Sequence, residues 1–433
     1  SGEVQSVDEI SEFTLVPATD GGPPMRFPTR TRGQWILKTF SRTTVFERDS
    51  QLSDVRLDPA DFETAKATAF SSDAVMVRDT EKGVRYLEKD KTGVRVVVED
   101  KKTAQLYGAG GLFYDDSLDY PLPILGLYYY DFDFRKKKQQ VQGLFGGVLV
   151  AGSFNDPNAF GSSVSLGADV FGIFVRGSDA VFVNGEEDEA QRVKSLSFAG
   201  NFNAGISVGP HLRLGAALGV TRRDFAIDKE KTDATFALPS DHLVTRASAE
   251  AVYDRFGWVL SGRFQYNRRS KWEPWGYAGN PDYDPGKDTF QLYGATVAKD
   301  FSLPKFQRIR TSVSWLGSSN TDRFSKYSFG FFGGTSLRGF RSGSLRAEQA
   351  FVARAAYGLV FGSALRIEGV YDHAFVKDRA TGLNYDSFGG AGLSGELPGP
   401  WTTLMRIDAG IPVVGRNKGQ SGFVVNMLFL KIF

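Results

Sequence analysis

The sequence predicts an all-β chain: a transmembrane antiparallel β-barrel of about 16 strands, behind a small N-terminal α+β segment. Three observations carry this. Long stretches alternate apolar and polar residues with period two. Glycine, at 49 residues, and phenylalanine, at 36, are abundant while cysteine is absent, a profile that suits many strands joined by tight turns. No apolar run approaches the roughly 18 residues of a membrane-spanning helix. Mean hydropathy is -0.24, which hydropathy scales read as water-soluble, but barrel strands hide a lipid face in alternation with a polar lumen face.

A soluble chain of 433 residues would divide into two or three domains, because single cores stop growing near roughly 250 to 300 residues. A closed barrel escapes that limit. The formal net charge of +2 leaves no global basic field, so no nucleic-acid partner is implied. Absence of cysteine fits an oxidising, periplasm-facing compartment. The chain starts at Ser1, with neither Met nor an apolar signal segment, and is expected to be a mature or trimmed form.

Residues 1–104 are expected to form a separate periplasmic segment. It holds polar and Pro-rich stretches such as Gly21-Gly22-Pro23-Pro24, a short helix over Ala60–Phe70, and a hairpin in which Val84–Leu87 and Val94–Val98 flank Lys91-Thr92-Gly93. The barrel is expected over 105–433. Its clearest pattern sets Leu196, Phe198, Phe202, Ala204, Ile206 and Val208 against Ser195, Ser197, Asn201, Asn203, Gly205 and Ser207. Leu212, Leu214, Ala216, Leu218 and Val220 repeat it after a turn at Gly209-Pro210. The strands of a soluble β-sandwich average only ~5 to 6 residues, about half the length seen here.

Strands are expected near 105–116, 122–134, 138–146, 147–155, 160–175, 191–208, 211–225, 241–254, 257–268, 287–301, 306–317, 346–361, 363–375, 385–397, 400–412 and 420–433. The split at Gly146-Gly147 is required by parity. It places the long segments 176–190, 226–240, 269–286 and 318–345 on one side, and such barrels keep their longer loops outside and their short turns in the periplasm.

The last long loop contains Gly333-Gly334-Thr335-Ser336-Leu337-Arg338-Gly339-Phe340. With five predicted strands after it, this segment resembles the sixth-loop signature of the BamA/TamA/FhaC superfamily of outer-membrane polypeptide insertases and translocators. Asp156-Pro157-Asn158-Ala159-Phe160-Gly161, Gly390-Ala391-Gly392, Pro398-Gly399-Pro400 and Arg406–Pro412 are similar to further patterns of that family. The terminal Phe433 resembles the barrel-assembly signal, from which Lys431 departs. The resemblance covers about 105–433.

It implies location in the bacterial outer membrane, a polypeptide substrate, possible accessory periplasmic or lipoprotein subunits, and room for one POTRA-like module in 1–104. It also implies that the sixth loop, with Gly333, Gly334, Leu337, Arg338, Gly339 and Phe340, folds back into the lumen. A guanidinium there needs a carboxylate. Alternation in 365–372 points Glu368 and Asp372 to the lumen, with Glu348 as a competing partner. The resemblance further implies a lateral seam where Gln105–Asp116 meets Gln420–Phe433. Gly108, Gly110 and Gly111 weaken one edge, while Phe423, Asn426 and Phe433 lie on the other.

No cofactor, nucleotide or metal is implied. Gly205-Ile206-Ser207-Val208-Gly209 matches the nucleophile-elbow expression but leads into another strand instead of a helix. Gly390, Gly392 and Gly395 lack the βαβ unit of a dinucleotide site, and His211, His242 and His373 fall on different strands. Arg135-Lys136-Lys137-Lys138 at a periplasmic turn could hold anionic outer-membrane lipid at ~1 kcal/mol per cation, or simply be solvated. Trp272 and Trp275 suit rim packing or a ligand grip. Besides an insertase or translocator, two readings remain: a passive channel or structural anchor, and a hydrolase using a Ser/His pair at the rim.

Overall fold

The computed structural model describes residues 2–17, 23–39, 42–53, 55, 60–72, 76–80, 83–97, 104–115, 118, 120–135, 137, 139–183, 185–209, 211–255, 257–280, 282–303, 307–330, 335–361, 365–399, 403–415 and 420–432. Contacts divide the chain into two units, Ser1–Thr103 and Ala104–Phe433.

In the first unit, β1 (Gly2–Val16), β2 (Met25–Thr39) and β3 (Arg42–Gln51) form an antiparallel meander. Sequence reading missed this sheet. The pairing of β1 with β2 slips between Val4 and Ser6 and again between Glu12 and Phe13. The first slip adds Gln5 to β1 and the second adds Thr29 to β2, so the period-two phase breaks once in each strand. Cross-strand polar pairs hold it, among them Ser11 with Thr31 at 3.2 Å and Arg30 with Asp49 at 2.8 Å.

Helix α1 spans Phe62–Ser71. A second sheet follows from β4 (Met76–Thr80), β5 (Gly83–Lys89) and β6 (Arg95–Val97). The β5–β6 turn is built on Gly93, at φ 85°, and on Asp90, whose carboxylate accepts from the Thr92 hydroxyl at 2.6 Å and the Val94 amide at 3.0 Å. The Thr92 hydroxyl bond is the main reason that the Asp90 carboxyl titrates below the usual range.

The second unit is a closed antiparallel barrel of 16 strands. It begins with β7 (Ala104–Tyr114), β8 (Leu122–Phe134), β9 (Gln139–Phe145), β10 (Leu149–Asp156) and β11 (Val164–Asp179). A small hairpin, β12 (Phe182–Val183) with β13 (Glu186–Glu187), sits in the next loop. Then come β14 (Val193–Val208), β15 (Leu212–Ile227), β16 (His242–Arg255), β17 (Trp258–Arg269), β18 (Thr289–Leu303) and β19 (Gln307–Ser319). The longest loop carries the short pair β20 (Tyr327–Ser328) and β21 (Arg346–Ala347). The wall resumes with β22 (Gln349–Phe361), β23 (Leu365–Asp378), β24 (Leu383–Gly399), β25 (Thr403–Val414) and β26 (Val424–Ile432), which returns to β7.

Each expected strand is present with ends shifted by a few residues. The expected split near Gly146-Gly147 is real, with Gly147 at φ 71° in the turn between β9 and β10. No helix among the described residues is long and apolar enough to cross a membrane. The barrel strands instead present apolar residues on their outer face. Ile206 pairs with Leu214 and Phe202 with Leu218, and all four side chains point outward and exposed, an apolar surface suited to lipid.

Inward residues of the same strands are polar and bonded to one another. Asn201 and Asn203 of β14 both donate to Asp169 of β11 at 2.6 Å, and Arg246 of β16 reaches Asn201 across β15. Gly219 lies between them, and a Cβ there would stand 3.0 Å from the Arg246 guanidinium. A bare backbone is what lets this chain of bonds cross β15.

Candidate functional site: the lumen loop and the seam

Loop 320–348 is buried without interruption over residues 321–327. Its apolar residues Tyr327, Phe329, Leu337, Phe340 and Leu345 pack on Leu316, Ala350, Val352, Ala374, Val376 and Phe388 of the wall. Here the inner face of β22 and β23 is apolar, because the loop covers it. Phe324 enters a second cluster with Val193, Phe225, Phe236 and Trp275, edge-on to Phe225 at 5.0 Å and to Trp275 at 4.9 Å. Trp275 is therefore core. Trp272 packs beside it and donates its indole N–H to the Asp284 carbonyl at 2.9 Å.

Ion pairs fasten the first half of the loop to distant strands, which sequence reading did not anticipate. Asp322 pairs with Arg269 of β17 at 2.5 Å, both fully enclosed. Arg323 pairs with Asp179 of β11 at 2.7 Å, which Arg346 also reaches at 2.9 Å. Lys326 pairs with Asp378 of β23 at 2.8 Å, with Glu348 at 3.5 Å and with Asp282 at 3.8 Å. Burial alone would lower the Lys326 ammonium, but these carboxylates outweigh it and raise the group above the ordinary lysine value.

The signature segment is the second anchor. Gly333 and Gly334 lie outside the described residues. The Arg338 guanidinium donates to Asp372 at 2.6 Å, to Ser394 Oγ at 2.7 Å and to Asp408 at 3.2 Å. Arg354 bonds the other oxygen of the fully buried Asp372, and donates to the Ser336 carbonyl at 2.8 Å. Of the two expected partners, only Asp372 meets Arg338. Glu368 pairs with Arg310, and Glu348 pairs with Lys326. Alternation rightly pointed both Glu368 and Asp372 inward, but their order along β23 decides which one the loop reaches.

The wall is hollowed to receive this segment. A Cβ at Gly390 would collide with the Arg338 carbonyl, one at Gly410 would lie 2.6 Å from the Arg338 Cβ, and one at Gly392 2.9 Å from its Cδ. Gly339 adopts φ 77° against the Ile411–Pro412 backbone, a conformation that favours glycine. Phe340 is buried edge-on against Phe388 at 5.7 Å. In the sequence Gly390 and Gly392 stood out by the resemblance of Gly390-Ala391-Gly392 to a family pattern. What they make room for lies about fifty residues earlier in the chain.

The seam is closed. β26 pairs with β7 from Met427 opposite Tyr114 to Ile432 opposite Ala109. Among the described residues that is six positions, against sixteen between β14 and β15. The β9–β10 ladder is equally short, so shortness does not single out the seam. Of the residues expected there, Gly110 faces Lys431 and Gly111 faces Leu430. Gly108 directly precedes Ala109, where the described ladder ends. Two expected positions need correction: Asn426, which pairs with Asp408 of β25, lies one residue before the ladder, and Phe423 precedes β26. Asn426 and Phe423 fall short because the β7–β26 ladder stops at Met427. Phe433 lies outside the described residues. A Cβ at Gly111 would collide with the Phe429 carbonyl, so the two strands meet closely only because that residue is glycine.

The inner side of the seam is apolar: Phe113, Leu122 and Ile124 are buried, and Leu428 and Leu430 of β26 pack against them. Elsewhere, His373 bridges the Tyr371 hydroxyl and Ser387 Oγ, each at 3.0 Å. At the short-turn end Arg135 and Lys137 are exposed, while Lys136 and Lys138 fall outside the described residues.

No family model matches this chain, and no curated protein matches it. Among solved structures it is similar to BamA from Haemophilus ducreyi lacking POTRA domains 1–3, with TM-score 0.52 and 13% identity over 100% of this chain and 90% of that one. It is also similar to CdiB from Escherichia coli, with TM-score 0.50 and 13% identity over 84% of this chain and 68% of that one. At such identity the likeness establishes the fold.

Proposed function

We propose that this protein resides in the bacterial outer membrane and inserts polypeptide into it, or passes polypeptide across it, by parting β7 from β26, with loop 320–348 as the lumen stopper. The observation that carries the reading is the seating of Arg338 on Asp372, in a loop whose sequence resembles the insertase and translocator signature. The seam supports it: a parted strand edge in lipid exposes unpaired N–H and C=O groups that template an incoming strand. No nucleotide enters this scheme, and substrate folding with lipid burial supplies the driving force. We assign Ser1–Thr103 to the periplasm as a substrate-handling unit, in the place a POTRA-like module would occupy. Accessory periplasmic or lipoprotein subunits fit the same scheme.

The test is a lock. Leu112 and Phe429 are opposed across the seam, and directly opposed antiparallel residues lie about 4.5 to 5.5 Å apart at Cα, within disulfide range. Cells depleted of the protein should lose either many outer-membrane barrels, which marks an insertase, or one exported polypeptide, which marks a dedicated translocator. The oxidised Leu112→Cys/Phe429→Cys chain should fail to restore them, and reduction should return function. Full restoration by the oxidised chain would remove lateral opening and favour the passive-channel or anchor reading.

The contact between Ser387 and His373 is the one observation that favours a hydrolase. Under that reading Ser387→Ala would abolish activity while leaving the seam lock without effect.

A further inference from the structure

We propose that Gly339–Ser344 of the lumen loop is a clasp on the seam, so that withdrawal of the loop and parting of β7 from β26 are a single transition. The inference rests on the reading that the seam opens. It adds the device that controls the opening.

The clasp grips the chain beyond the loop-side end of each strand. On the β26 side, Gly339–Arg341 runs antiparallel to Gln420–Gly422, the residues that lead into that strand. The Gly422 amide donates to the Gly339 carbonyl at 2.9 Å, the Arg341 amide donates to the Gln420 carbonyl at 3.2 Å, and Phe340 stands opposite Ser421. The Gln420 side chain then donates to the Ser344 carbonyl at 3.0 Å. On the β7 side, Ser342 Oγ donates to Asp115 Oδ2 at 2.7 Å, and Asp115 directly follows the last residue of β7. Asp115 and Gln420 are only 1% and 4% exposed, so water does not compete for either contact.

The ladder stops at Met427 opposite Tyr114; one grip, at Asp115, directly follows Tyr114, and the other, at Gln420–Gly422, directly precedes the segment that leads into β26. A six-position ladder frays from its ends, and a segment joined to both strands at one end holds them at high effective concentration. Peeling from the loop-rich end must first break the clasp. Arg338 precedes it directly, so the Asp372 seat holds the clasp in register. By linkage, whatever unseats Arg338 favours seam opening, and whatever parts the seam favours release of the loop.

Amide hydrogen exchange on the full chain in lipid vesicles tests this without reference to activity. The Ser342→Ala/Asp115→Asn variant should exchange about tenfold faster over 109–114 and 427–432, with the β14–β15 ladder unchanged. Seam exchange equal to the parent, or a rise spread over every ladder, would overturn the proposal. Should that variant not assemble, the oxidised Ser342→Cys/Asp115→Cys chain decides instead: the clasp predicts slower seam exchange than in the parent, and no slowing refutes it. If the seam responds here but the seam-locked barrel still restores function in cells, the clasp stands and the proposed function falls. The opposite pair of results removes the clasp and leaves the function.

Discussion

Replacing Asp372 by alanine should expel the signature segment from its seat and cost about 3 to 5 kcal/mol, the range for breaking a buried ion pair by removing one partner. The magnitude follows from what is left behind. Asp372 is fully buried and serves two guanidiniums, Arg338 and Arg354, so its loss takes the nearest carboxylate from both. Asp408 touches Arg338 at a longer 3.2 Å and is better placed to reach water, so Asp408→Ala should be the milder change. Protease added outside intact cells reads the result. Loop 320–348 should become cleavable in Asp372→Ala and stay largely protected in Asp408→Ala. Equal protection in both would mean that the carboxylate does not hold the loop.

The second large effect is expected at a residue with no side chain. Gly390→Ala places a methyl on the Arg338 carbonyl. Overpacking commonly costs about 1 to 3 kcal/mol, and this collision belongs at the upper end because both partners are backbone and neither can change rotamer. Gly395 is the control. It lies on the same strand, and a Cβ there meets nothing within 4 Å. Gly390→Ala should lower the thermal midpoint and expose the loop to protease, whereas Gly395→Ala should do neither. Matching behaviour of the two would show that the hollow in β24 is incidental.

What could be read from the sequence follows from the range of the signal. Alternation is local, so the barrel strands and the inward direction of Glu368 and Asp372 were legible. Loop lengths are local too, and parity alone recovered the turn at Gly147. The choice between Glu368 and Asp372 was not local, because it depends on how far down the wall the loop reaches. Arg354, Ser394 and Asp408 were missed for the same reason: strand register sets Arg354 opposite Asp372 and Ser394 opposite Asp408, and so brings three strands to one guanidinium. The ion pairs of Asp322, Arg323 and Lys326 join residues up to 144 apart in the chain, and nothing in their immediate neighbours marks them. In the first unit even local reading failed, since one slip in β1 and one in β2 interrupt their phase. At the seam the reading was too broad, because register could not be told from proximity to a chain end.

The seat of Arg338 carries a consequence for the order of assembly. Loop 320–348 precedes every strand that holds its signature segment: Asp372 on β23, Ser394 on β24, Asp408 on β25, and then Gln420–Gly422 ahead of β26. A chain threaded from its N-terminus into the membrane therefore carries the stopper before the socket exists. Contacts of such long sequence separation form late. The nascent wall must remain unplugged until its final strands arrive, because the strands that hold the loop are among the last to be made.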